Sequence, residues 1–133
     1  MIVGLIQELA IVDVFDRGVP NRECIAIAVN ETLNLGQYGV MLGVRGPTGS
    51  AFPIRDNLFW FGDGIVNRED WLFLYTGVGN PRSHQIPNTQ HHSYALHWGR
   101  KTTILSNEQI VPLLFRVDAV IVQAPQAALP SPT

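Results

Sequence analysis

The chain of 133 residues is 46% apolar and 15% charged, a globular composition that excludes a disordered chain, and its length suits one domain able to bury most of its unfolded surface. Nine basic against eleven acidic residues leave a formal charge of −2, so general nucleic-acid or anionic-lipid binding is not expected. A single cysteine, Cys24, excludes an intramolecular disulfide, so the fold must hold by packing alone.

The chain opens with MIVGLIQELAIV, which lacks a basic leader, carries Gln7 and Glu8 and falls short of the roughly 18 apolar residues of a membrane span. Neither export nor membrane insertion is therefore expected of the chain as given, and the compartment is left unassigned. Residues 5–15 form an apolar run interrupted by Glu8 and Asp13, and DRGVPN then reads as a hairpin-like connection. Residues 23–29 alternate Glu23, Ile25, Ile27 and Val29 against Cys24, Ala26 and Ala28, a strand pattern in which Cys24 is a buried, inert thiol.

Tyr38, Val40, Leu42 and Val44 share one face of a strand over 38–45, and the small Gly39, Met41, Gly43 face predicts close approach of another backbone. RGPTGS is a loop. Aromatic strands are predicted over 57–61 and 70–76, and the second, apolar on both faces, belongs at the centre of a sheet. From Gly77 to Gln90 the prolines, glycines and polar residues predict a long surface loop. A strand over 91–98 puts Tyr94, Leu96 and Trp98 on one face, and a last strand is expected over 112–122. The three prolines and lack of charge in APQAALPSPT predict a disordered tail over 123–133. Short strands with turn chemistry between them and no crossover helix argue an all-β fold, an antiparallel β-sandwich of seven to eight strands over 1–122, with a small β-barrel as the alternative.

Four segments in order carry a family resemblance. ECIAIAVNET resembles an E-x-V-x-I-x-N strand, LNLGQYGVML an L-x-G-W-x-L segment, FWFGDGIVNREDWLFLYTGVG the aromatic core ending in V-Y-T-G-x-G, and LHWGR with SNEQIVPLLFRVDAVIV the late strands. Together they resemble the lamin-tail domain over most of the chain. Tyr38 stands where that family usually has Trp, Gly62 where it has Pro, and Asp70 where a turn Gly is common. The resemblance implies an immunoglobulin-like sandwich, of the kind found in lamins and many bacterial proteins, that works by binding rather than catalysis.

The chemistry-bearing residues point the same way. His84, His91, His92 and His97 cluster in sequence, but His91 and His97 lie roughly 20 Å apart on a straight strand, too far to share one ion. Asp63, Asn67, Glu69 and Asp70 gather oxygen ligands without a calcium-loop pattern, and turn chemistry explains them better. No nucleophile elbow or phosphate-cradling loop is present, so no catalytic residue, metal or cofactor is assigned.

Aromatics are the remaining signal. Most must fill the core, yet Phe59, Trp60 and Phe61 are consecutive, so either Trp60 or the Phe pair faces outward. The expected binding surface comprises Phe59, Trp60 and Phe61 with Arg82, His84, His91 and His97 of the later loop and strand. Three functions fit: a protein-interaction module that self-associates or serves as a subunit; a carbohydrate-binding sandwich that stacks sugars on Trp and Tyr; and a small enzyme whose His84 to His97 segment supplies a general base.

Overall fold

The computed structural model describes residues 5–125 and 130–132. The described residues form three sheets, not closed into a barrel, that make an all-β sandwich. Strands β1 (Leu9–Phe15), β2 (Cys24–Val29), β7 (Trp71–Tyr75), β9 (His92–His97) and β8 (Arg82–Gln85) lie in that spatial order in a five-stranded sheet. Strands β10 (Ile110–Arg116), β4 (Tyr38–Arg45) and β5 (Ala51–Trp60) form the three-stranded sheet, and β3 (Leu33–Asn34) pairs with β6 (Ile65–Val66). The expected strands thus recur, with β7 central as predicted.

The alternation read in the sequence builds the core. Ile25 and Ile27 of β2, Leu72 and Leu74 of β7 and Val40 of β4 are fully buried, each stabilising the fold by about 1.5–3 kcal/mol. Tyr94, Leu96 and Trp98 pack against this cluster from one face, as do Phe59 and Phe61.

Several expectations are corrected. The loop predicted over 77–90 contains β8, a fully exposed edge strand whose polar sequence carries no period-two apolar signal. With β8 comes a parallel pair in a sandwich expected to be antiparallel: β7 and β9 run parallel, while β8 and β9 are antiparallel. No crossover helix is needed, because β8 makes the return stroke outside β9 and residues 86–91 turn the chain back, with the Ile86 amide donating to the His91 carbonyl at 2.8 Å.

The strand predicted over 57–61 extends back to Ala51, and Pro53 is accommodated because β5 is an edge strand. The last strand stops at Arg116, opposite Tyr38, where β4 begins; one further hydrogen bond, from the Val117 amide to the Gln37 carbonyl at 2.7 Å, ends the pairing, and Ile121 beyond it is 94% exposed. Residues 117–125 and 130–132 have no regular structure, and the rest of the predicted tail lies outside the described residues.

Two carboxylates fasten the sandwich. Glu23 is 1% exposed, and its Oε1 accepts from the Thr76 hydroxyl at 2.7 Å and the Ile104 amide at 2.9 Å. Its Oε2 accepts from the Gly18 amide at 2.8 Å and the Leu105 amide at 3.1 Å. The β1–β2 turn, the end of β7 and the 99–109 loop are tied through this one side chain. Glu8, ahead of β1, accepts from the Tyr38 hydroxyl of β4 and from Arg116 of β10 at 2.9 Å, linking the two large sheets. The Tyr38 hydrogen bond, foremost, holds the Glu8 carboxyl down at about 2.

Candidate binding surfaces

The residues expected to form one binding surface fall on different sheets. Phe59 and Phe61 turn inward, in edge contact with ring centroids 5.8 Å apart, and Phe59 also meets Trp98 at 5.8 Å. Trp60 takes the outward position and is 53% exposed. Phe59 and Phe61 are therefore corrected from surface to core-packing residues, in keeping with the alternation of Leu58, Phe59, Trp60 and Phe61 at the end of β5.

Around Trp60, the outer face of the three-stranded sheet is apolar. Register places Phe115, Gly39 and Trp60 in one row, Leu113, Met41 and Leu58 in the next, and Val111, Gly43 and Pro53 in a third. No charged residue occurs in these rows, and Leu58 is 58% exposed. The glycines are required by side chains as well as by backbone. A Cβ on Gly39 would overlap the Phe115 ring and the Phe59 carbonyl, and one on Gly43 would crowd Leu113 at 2.8 Å. Phe115 and Leu113 therefore lie down across β4, which leaves a flat face.

Arg82, His84 and His97 share the outer face of the five-stranded sheet, on the opposite side of the molecule, where Arg82 and His97 come together and His84 sits farther along β8, opposite Ser93. There Cys24, Ala26 and Ala28 of β2 form a low floor beside Trp71, Phe73 and Tyr75 of β7. Trp71 and Phe73 stack with centroids 6.1 Å apart, and Tyr75 stacks on His97 at 5.3 Å. The Arg82 guanidinium lies 5.9 Å from the Tyr75 ring centroid and 3.4 Å from His97 Nε2. The outward placement of Trp71, Phe73 and Tyr75 was not expected of strands read as core. Its signal is the alternation of large aromatics with leucines beside a strand whose outward residues are all small.

His91 joins neither face: its Nε2 sits 2.9 Å from the Glu69 carboxylate. His92 belongs to the other face of β9 and tilts against Tyr94 at 6.2 Å. The sequence cluster of histidines is thus dispersed, and among the described residues no three His, Cys, Asp or Glu side chains are grouped to hold a metal ion.

The acidic cluster resolves into a turn. Asp70 is 1% exposed, and its carboxylate accepts from the Asn67 amide at 2.8 Å and the His92 amide at 2.9 Å. Both interactions fix the approach to β7. Cys24 is 3% exposed, and burial, with a contribution from Asp16, pushes its thiol up to about 12. It stays protonated near neutrality and serves as packing.

What the arrangement offers is two outward surfaces on opposite sheets: one flat and apolar, the other aromatic and cationic. Compared with family models, with curated proteins and with solved structures, the chain matches none.

Proposed function

We propose that the chain is a non-catalytic interaction module of lamin-tail type that binds a second copy of itself through the outer face of the three-stranded sheet. One observation carries this reading: the three paired rows across β10, β4 and β5 are uncharged and apolar, with Leu58 and Trp60 more than half exposed, and the exposed Arg55 and Asp56 are confined to the irregular stretch of the β5 edge between Leu58 and Pro53. An apolar patch of this kind on a protein surface marks an interaction site, and Trp, Phe and Met are the residues enriched in interface cores.

A second copy is the favoured partner because a flat face without charge is complementary to itself. Two such faces related by a two-fold axis stack as sheets do, about 10 Å apart, with no unpaired charge taken out of water. Within the three rows a strongly charged partner would find no counter-charge; Asp13, Arg17 and Arg45 lie at their Val111 and Leu113 edge.

Light scattering tests the reading. The wild-type chain is expected to give a dimer mass at high micromolar concentration, and Leu58→Asp, which places a charge in the middle row, to give a monomer. A monomeric wild type would refute it.

A further inference from the structure

We propose that the cleft at the Phe15 end of the five-stranded sheet's outer face is a binding site for an acidic sugar, a hexuronate ring carried by a glycan. The cleft has a volume of about 560 Å³ and is lined by Phe15, Cys24, Tyr75, His97, Arg22 and Arg82, among others. It lies far from the apolar face, so this inference stands independently of self-association.

The width of the cleft follows from register. Phe15, Cys24, Tyr75 and His97 are cross-strand neighbours in one row of β1, β2, β7 and β9. Phe15 and Tyr75 are therefore two strand spacings apart, roughly 9.5 Å, with the small Cys24 as floor between them. Side chains stand nearly perpendicular to a sheet, so two aromatic walls face a gap. Van der Waals contact of about 4 Å on each side leaves space for the pucker of a saturated ring, where a planar ring would sit loosely. Aromatic walls suit the apolar C–H faces of a pyranose.

Charge selects among sugars. At one end Arg22 is paired with Asp16 at 3.5 Å, and with Asn21 this pair offers donors and acceptors for hydroxyl groups. At the other end, among the described residues, Arg82 has no carboxylate partner; its guanidinium lies over Tyr75 and beside His97 Nε2. A spare guanidinium beside an aromatic platform matches a carboxylate on the bound ring, in the fork geometry that arginine favours. The platform is preorganised. His97 is held between Tyr75, stacked at 5.3 Å, and the backbone of Gly79, where a Cβ would overlap the imidazole.

The test is isothermal titration calorimetry of the intact chain with trigalacturonate, its methyl ester and a neutral trisaccharide. The expected result is saturable binding of the acid alone, weakening as salt is raised. Arg82→Gln, at an exposed edge position, is expected to reduce affinity about tenfold or more, and Tyr75→Ala comparably. Absence of saturable binding by the wild type, equal binding of the acid and its ester, or wild-type affinity in Arg82→Gln would each overturn the assignment.

Discussion

The indole Nε1 of Trp60 donates to the Gly36 carbonyl at 2.8 Å, which fastens an outward-facing tryptophan of β5 to the turn that precedes β4. The side chain is therefore held in place before any partner arrives, and the entropy cost of ordering it on binding is reduced. Trp60→Phe keeps an aromatic ring and removes the hydrogen bond. Its expected cost to stability is about 0.5–1.5 kcal/mol, read from the urea midpoint at unchanged m-value.

Glu23 is expected to be the most sensitive polar position. Glu23→Ala strands the Gly18, Ile104 and Leu105 amides and the Thr76 hydroxyl in a buried setting, and about 3–5 kcal/mol of stability should be lost. Thr76→Val removes a single donor and should cost about 1–3 kcal/mol. Equilibrium denaturation of the two variants gives the comparison; a Glu23→Ala loss no larger than that of Thr76→Val would show that the carboxylate does not join the loops.

Acid sensitivity should centre on Glu8. Its carboxyl lies at about 2 in the folded chain against 4.5 ordinarily, held down by the Tyr38 hydroxyl first and with help from Arg116. The folded state thus binds this proton more weakly than the unfolded state. The associated stability is fully present above about pH 4.5 and is lost as pH falls toward 2. At the other extreme Tyr38, raised from 10.0 to about 12 by burial and then by Glu8, contributes stability that is present below pH 10 and lost as pH rises toward 12. Tyr38→Phe should flatten both flanks of the stability profile between pH 2 and 12. Urea midpoints measured across that range check it.

Gly39 separates close packing from turn chemistry. Gly39→Ala drives a methyl group into the Phe115 ring and the Phe59 carbonyl and should cost about 1–3 kcal/mol. Gly64→Ala, in a turn where a Cβ meets nothing within 4 Å, should change stability by no more than about 0.5 kcal/mol. Thermal melts of the pair give the contrast directly.

The core strands were legible because their alternation is imposed by burial: Ile25 and Ile27 share the face turned to the core, and Cys24 and Ala26 share the other, where the aromatics of β7 cover them. The edge strand β8 was not, since a strand exposed on both faces carries no hydrophobic period. The parallel pairing of β7 with β9 depends on where β8 docks, a non-local choice that no local pattern encodes. Among site residues, the three consecutive aromatics required Trp60 and the phenylalanines to face opposite ways, and only the fold turns Trp60 outward and the pair inward. The split of Trp60 from Arg82, His84 and His97 onto opposite sheets did not, because sequence proximity says little about which side of a sandwich a strand faces. Likewise the flat apolar face needs the register of three strands, which brings Phe115 beside Gly39 and Leu113 beside Met41.

Solution mass tests the central claim most directly. Light scattering on wild type and Leu58→Asp at matched high micromolar concentration, with circular dichroism to establish that both are folded, should give a dimer for the first and a monomer for the second. A monomeric wild type, or a dimer that persists in the folded Leu58→Asp chain, would contradict self-association through the β10–β4–β5 face.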